Sequence, residues 1–239
     1  MRTKAIVISK QPTGEHDQMV NLYTEDFGAM RAMARGSFRP TSLQSMHLEA
    51  LNLIDFEIIQ GRAWPIISSA MMLEAHGAIR ESLPKLAAAQ FFTEVLDKVT
   101  FENERDPELW NFLTATLAEI QTSADADILG LFRVRQAEFL KVLGYAPQVD
   151  RCVVCSRDAL VGSEKLVALS TELGGVMCAN CFLEGGRGVM IDKSDLNLLT
   201  GTASATPVVA TKHSALDTFF EYTVGRKINS LGFLYQVVK

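Results

Sequence analysis

Two short stretches, Cys152-Val153-Val154-Cys155 and Cys178-Ala179-Asn180-Cys181, contain all four cysteines of this 239-residue chain. In each Cys-x-x-Cys turn two thiolates can chelate one ion. Two such turns placed face to face form a tetrahedral site of four sulfurs, which suits Zn²⁺. The interval between the pairs, residues 156–177, is slightly longer than the usual zinc spacing of about 15–20 residues. The spacing therefore predicts that Cys152, Cys155, Cys178 and Cys181 bind one structural Zn²⁺.

Three other arrangements of these cysteines compete with zinc: two disulfides, a thioredoxin-like redox pair, or four unrelated buried thiols. Nothing in the chain indicates secretion, which disfavours disulfides. A redox pair lies at the start of a helix in a strand–helix–strand unit, whereas this chain has two matched pairs. Because four sulfur ligands leave no position for water or substrate, a zinc enzyme is disfavoured and we predict no catalytic residues.

The composition is that of a globular protein, with 48% hydrophobic and 21% charged residues. The net charge is −5, and the acidic excess lies between residues 65 and 151, so the whole-chain charge gives no support to nucleic-acid binding. Near the N-terminus the apolar run Ala5–Ile8 is too short for a signal peptide. No run approaches the roughly 18 apolar residues of a membrane span. We therefore expect a cytoplasmic protein with no membrane partner.

The first 68 residues have the pattern of short β-strands separated by turns. Strands are predicted over Ala5–Ile8, Met19–Thr24, Ala29–Arg35, Leu48–Ile59 and Ala63–Ile67. The connections are too short for helical crossovers, and closure into a small barrel would remove vulnerable sheet edges. Residues 1–68 are thus predicted to form a five-stranded barrel.

From Ser69 the apolar spacing becomes helical. Helix starts are expected near Ser69, Pro84, Asp106, Asp127, Ser194 and Ser214, and Trp110 is expected to pack in the core. Between the cysteine pairs, Leu166–Ser170 and Gly175–Met177 are predicted to form a hairpin. We expect a helical domain over 69–149, completed by 189–239, with residues 150–188 inserted as a zinc-binding module.

The order of these parts resembles the RecO family of bacterial recombination-repair proteins. The stretch Leu143-Gly144-Tyr145-Ala146-Pro147 before the first cysteine pair, and Gly174-Gly175 before the second, carry the resemblance. Gly14-Glu15-x-Asp17, Leu22-Tyr23-Thr24-Glu25, Gly28, Arg35-Gly36, Arg39-Pro40-Thr41-Ser42 and Lys227-Ile228-Asn229-Ser230 also match. After Cys155, where the family usually has glycine, this chain has Ser156.

The resemblance implies an α+β multidomain fold, with an N-terminal OB-fold β-barrel followed by an all-α domain that carries the four-cysteine zinc module. It implies a non-enzymatic role in DNA repair and homologous recombination through the RecFOR pathway. That role comprises binding of single- and double-stranded DNA, annealing of complementary strands and assistance to RecA loading. The implied partners are DNA, RecR and the acidic C-terminal tail of single-strand-binding protein, in a cytoplasmic, nucleoid-associated setting.

Cationic side chains on the barrel are the predicted DNA contacts, because OB-folds hold the nucleic-acid backbone with such groups. Arg31 and Arg35 share one face of a predicted strand, and Arg39 lies in the following loop; Lys4 and Lys10 flank the first strand. Arg133 and Arg135, on the helix after Asp127, are candidate contacts for the acidic tail, and a helix-surface salt-bridge role is the alternative. A protein-interaction adaptor with little DNA affinity of its own is the competing function.

Overall fold

Five strands at the N-terminus close into a barrel. The structure, a computed structural model, describes residues 1–39, 42, 44–158, 167–201 and 214–238. The barrel strands are β1 (Arg2–Thr13), β2 (Asp17–Thr24), β3 (Gly28–Ala34), β4 (Leu53–Ile59) and β5 (Ile66–Glu74). They are hydrogen-bonded in the order β1-β2-β3-β5-β4, with β4 returning to β1. This closed five-stranded order is that of an OB-fold and confirms the predicted barrel.

Alternation of apolar and polar side chains gives the barrel one buried face. In β3, Met30, Ala32 and Ala34 point into the core, while Arg31 is exposed on the outside. The strand meets β5 in parallel at Met33 and Ile66, where the Met33 amide also donates to the Pro65 carbonyl at 2.8 Å. Arg31 is thus an outward-facing residue of β3, whereas Arg35 lies just after the end of the strand.

The helix predicted to start at Ser69 is a strand as far as Glu74. Its residues pair antiparallel with β4, from Ile59 opposite Ile66 to Leu53 opposite Glu74. The apolar spacing suggested a helix because β5 is exposed along most of its length and so lacks regular alternation. The strand predicted to begin at Leu48 starts instead at Leu53, after the short helix α1 (Gln44–His47). Pro40 and Thr41, in the loop before α1, lie outside the described residues.

Helices follow the barrel, mostly where the capping signals predict them. They are α2 (Gly77–Glu81), α3 (Leu83–Val99), α4 (Pro107–Thr122) and α5 (Ile128–Val142). The Asp106 side chain accepts the Leu109 amide at 2.9 Å, which confirms the predicted cap of α4. Trp110 of α4 is buried, and its ring stacks on that of Tyr23 with 6.5 Å between centroids, so its predicted core role is also confirmed.

The cysteine-containing part forms a small three-stranded sheet with short helices. Its elements are β6 (Val167–Ser170), β7 (Gly175–Met177), α6 (Ala179–Leu183), β8 (Val189–Ile191), α7 (Lys193–Thr200), α8 (Ala215–Val224) and α9 (Asn229–Val237). The antiparallel pairing of β6 with β7 confirms the predicted hairpin, although Leu166 lies outside the described residues. Ser214 caps α8 as predicted, whereas α7 is capped by Asp192 and not by Ser194.

The chain divides into two compact units, Met1–Ser123 and Ala124–Lys239. The first contains the barrel with α2, α3 and α4, and the second contains α5, the cysteine-bearing sheet and the last helices. The three-part division expected from the sequence, with its boundaries near residues 68 and 150, stays a prediction. In the part of the chain that the structure describes, no helix has the length and apolar character needed to cross a bilayer.

Candidate metal centre and nucleic-acid interface

Each Cys-x-x-Cys turn is stabilised by backbone hydrogen bonds. In the first turn the Ser156 amide donates to the Cys152 carbonyl at 2.9 Å, and the Cys152 amide donates to the Arg157 carbonyl at 2.8 Å. In the second turn, Cys178 lies between β7 and α6 and is the N-cap residue of α6. The Phe182 amide donates to the Cys178 carbonyl at 3.1 Å. The two turns face each other, since the Cys178 amide donates to the Cys152 sulfur at 3.4 Å.

The four sulfurs fit a tetrahedral zinc ion. All four Sγ atoms lie within 4.8 Å of one another, and the Cys155 and Cys178 sulfurs are 3.8 Å apart. A tetrahedron with Zn–S bonds of about 2.3 Å has edges of about 3.8 Å, so the Cys155–Cys178 distance matches an edge and the whole cluster is compatible with a zinc site. None of the four cysteines forms a disulfide in the structure. The residues present could therefore hold Zn²⁺ through four thiolates, as the spacing predicts.

The thiols titrate unequally because their surroundings differ. Burial raises the pKa of Cys152, but hydrogen bonds from the backbone amides of Cys155, Cys178 and Val154 outweigh it and bring that pKa down to about 6. Hydrogen bonding with the Cys155 sulfur, followed by burial, raises the pKa of Cys181 to about 12. A divalent cation bound by the four sulfurs would supply the positive charge that favours the thiolate form of each.

Gly175 permits the close approach that brings the second turn to the first. A Cβ at this position would stand 2.6 Å from both the Gln148 carbonyl oxygen and the Val153 Cγ1. The neighbouring Gly174 has φ +68°, the left-handed region that favours glycine. Both glycines therefore suit the geometry of the module.

Ser156 also adopts a left-handed conformation, with φ +58°. Replacing it by glycine is expected to raise the free energy of unfolding of the zinc-loaded protein by about 0.5–1 kcal/mol, because relief of the Cβ strain exceeds the entropy that glycine adds to the unfolded chain. Ser156→Ala is the control, since alanine keeps the Cβ and should give no gain. Urea denaturation of the three proteins measures the difference. A glycine variant no more stable than the alanine variant would contradict the expectation.

The predicted DNA contacts on the barrel fall into two groups. Three of them already face carboxylates: Lys4 Nζ lies 3.6 Å from Glu25 Oε2, Lys10 Nζ 2.5 Å from Glu49 Oε1, and Arg31 Nε 3.6 Å from Glu102 Oε1. Arg35 and Arg39 are exposed, and neither has an ion-pair partner among the residues that the structure describes.

Arg35 directly precedes a tight turn that runs from Gly36 to Arg39. The Arg39 amide donates to the Gly36 carbonyl at 3.0 Å, and the Gly36 amide donates to Asp17 Oδ1 at 2.7 Å. The aliphatic stem of Arg39 lies over Gly36, whose missing Cβ would stand 3.4 Å from the Arg39 Cδ. The turn therefore carries two exposed arginines that have no ion-pair partner within the described part of the chain.

Arg133 is not at the surface, so in this structure its guanidinium group is not accessible to an acidic tail. It is 1% exposed, and its guanidinium donates to Asp217 Oδ1 at 2.6 Å, to Tyr235 Oη at 2.7 Å and to Gln136 Oε1 at 2.7 Å. A buried charge needs such partners because its hydration is lost. Arg135 is mostly buried and pairs with Glu138 at 2.6 Å, the helix salt bridge that was the alternative.

Sequence reasoning missed the acidic residues that oppose the barrel cations. Glu102 comes from the connection between α3 and α4, far along the chain from Arg31. No local pattern marks it, because a single carboxylate in a loop has no periodicity and its partner is set by folding alone.

Comparisons with known proteins cover nearly the whole chain. Residues 1–76 match the family model "Recombination protein O N terminal", and residues 80–232 match "Recombination protein O C terminal". The "DNA repair protein RecO" of Bacillus pumilus is 31% identical over 182 residues, which is 76% of this chain and 68% of that protein. The protein of the same name from Desulforamulus reducens is 26% identical over 246 residues, covering 98% of this chain and 94% of its own length. With its closed N-terminal barrel, helices and clustered cysteines, this chain belongs to the RecO family of DNA repair and recombination proteins.

Proposed function

We propose that this chain is a non-enzymatic mediator of recombinational DNA repair whose barrel binds the DNA backbone through Arg31, Arg35 and Arg39, with Lys4 and Lys10 as secondary contacts. The observation that carries the proposal is the turn at Gly36, which presents the exposed Arg35 and Arg39 without carboxylate partners among the described residues. Guanidinium groups bind phosphate through paired N–H donors, and an OB-fold offers a groove that follows the backbone.

The finer activities, which the resemblance to the family implies, belong to the same proposal. They are binding of single- and double-stranded DNA, annealing of complementary strands and assistance to RecA loading on DNA coated with single-strand-binding protein, in the RecFOR pathway. RecR and the acidic tail of single-strand-binding protein are the proposed protein partners, and the setting is cytoplasmic and nucleoid-associated. The zinc module would then be structural, because its four sulfurs complete the coordination shell.

Few phosphate contacts imply modest binding that depends strongly on salt. Each phosphate neutralised by a cation releases condensed counterions, and this release drives association. The net charge of −5 opposes DNA at long range, and three of the five predicted cations are paired with carboxylates. We therefore expect binding and annealing to be strong only at low ionic strength.

The triple variant Arg31/Arg35/Arg39→Ala is expected to bind and anneal single-stranded oligonucleotides at least about tenfold more weakly at low salt. Its plot of log affinity against log salt should be shallower by about 2, since roughly 0.7 of a counterion is released per phosphate on single strands. Fluorescence anisotropy over a salt series measures both quantities. The charge-matched control is the triple variant Arg157/Arg187/Arg226→Ala, which changes three exposed arginines of the second unit. If the wild type neither binds nor anneals DNA at low salt, the adaptor function replaces this one.

A further inference from the structure

The connection between α3 and α4, residues 100–106, lies along the barrel beside Arg31. Glu102 forms a parallel bridge with Ala29 of β3, and the Asn103 amide donates to the Ala29 carbonyl at 3.1 Å. Because side chains alternate along a strand, Ala29 and Arg31 face the same way. The bridge therefore places the Glu102 side chain on the outer face of the barrel that carries Arg31.

This connection is held by contacts that do not involve Arg31. The Glu104 carbonyl packs so closely on Gly28 that a Cβ there would stand 1.9 Å from its oxygen. Arg105 Nε donates to the Glu25 carbonyl at 3.3 Å, and Arg105 Nη2 lies 3.7 Å from Asp26 Oδ1. The backbone therefore keeps Glu102 in place whether or not its carboxylate contacts Arg31.

The pair itself has the geometry of a displaceable contact. Arg31 Nε and Glu102 Oε1 are 3.6 Å apart, and the two side chains are 54% and 52% exposed. Exposed pairs of this kind contribute little to stability, because solvent screens them. The residue opposite Arg31 on β2 is Asn21, which brings no second charge. The Glu102 carboxylate thus offers Arg31 an anionic oxygen of the kind that a DNA phosphate also offers.

We propose that Glu102 is an internal competitor of DNA: it occupies Arg31 in the free protein and is displaced when a phosphate binds there. This inference rests on the proposed function and adds regulation of the same surface. A strand would first engage Arg35 and Arg39, whose guanidinium groups have no such competitor among the described residues. Arg31 would join last, once a phosphate is held beside it. The competitor lowers the affinity of the barrel for DNA without blocking it.

The test uses the full chain with Glu102→Gln, which removes the charge and keeps the shape. Glu104→Gln is the matched control, because it removes an equal charge from the same exposed connection where no ion pair is formed among the described residues. Anisotropy with a labelled single-stranded oligonucleotide at low salt should show about 2–5-fold tighter binding for Glu102→Gln, the range expected for an exposed pair. The gain should vanish when Arg31→Ala is added, and Glu104→Gln should give a clearly smaller change.

The results decide whether Glu102 competes with DNA for Arg31. Equal gains for the two glutamine variants, or a gain that persists with Arg31→Ala, would show a general charge effect and overturn the competitor. The double variant Arg35/Arg39→Ala separates this from the underlying function. If that variant loses affinity while Glu102→Gln gains none, only the competitor fails. If no protein in the set binds DNA, the competitor and the proposed function fail together.

Discussion

Replacing Cys178 by serine is expected to remove zinc from the protein, from about one ion per chain to nearly none, and to unfold the cysteine-bearing module. Cys178 supplies a sulfur that lies 3.8 Å from the sulfur of Cys155, which is ligand spacing. Among the residues that the structure describes, the module has two three-residue strands, one four-residue strand and a five-residue helix, too little to fold without a cross-link. Binding of structural zinc contributes about 10–16 kcal/mol in comparable small sites, so its loss dominates any other single change here.

Elemental analysis and thermal unfolding measure the two effects. Val154→Ser is the matched control, because Val154 lies exposed inside the first Cys-x-x-Cys turn and is not a ligand. It should keep the zinc and most of the stability. A strong zinc chelator added to the wild type should reproduce the behaviour of Cys178→Ser. Wild-type protein that is folded with four free thiols and no zinc would refute the metal site.

Gly28→Ala is expected to lower the free energy of unfolding of the first unit by about 2–5 kcal/mol, combining left-handed strain with overpacking. Gly28 has φ +67°, and an added Cβ would stand 1.9 Å from the Glu104 carbonyl oxygen and 2.6 Å from its carbon. Neither the turn after β2 nor the α3–α4 connection can move away without losing hydrogen bonds, such as the one between Asn103 and Ala29.

Gly14 is a well-matched control for Gly28. It has the same φ of +67°, but an added Cβ would meet nothing within 4 Å. Gly14→Ala should therefore show only the backbone strain, about 1 kcal/mol. Both tryptophans, Trp64 and Trp110, lie in the first unit, so urea denaturation followed by their fluorescence reports on this unit. Equal losses for the two variants would contradict the close packing of Glu104 on Gly28.

Local signals in the sequence predicted the metal cluster and most of the helices. Cys152 and Cys155 need only one turn of chain to chelate together, and a second pair of the same kind indicates a shared ion. Asp106 followed by a proline, and Ser214 followed by Asp217, mark helix starts through bonds that span three residues. Metal ligands and helix caps of this kind are formed by residues close together in the sequence, so they can be recognised without knowing the fold.

The errors arose where a distant partner decides the outcome. Residues 69–74 became a strand because β4 pairs with them, although their own spacing suggested a helix. Arg133 is a charged helix residue, a type that is usually exposed. In the structure it is buried and hydrogen-bonded to Asp217 of α8 and Tyr235 of α9. In both cases the structure is stabilised by contacts between residues that are far apart in the sequence.

By itself the sequence determined the barrel, the helical remainder, the four-cysteine cluster and the resemblance to RecO, because periodicity, capping and ligand spacing act over a few neighbouring residues. Only the tertiary structure decided which cations are available. It brings Glu102 from the α3–α4 connection to Arg31 and leaves Arg35 and Arg39 exposed on the Gly36 turn, with no carboxylate partner in the described ranges. The physical reason is that an ion pair depends on the distance between two groups in space, and for groups far apart in the chain that distance exists only after folding.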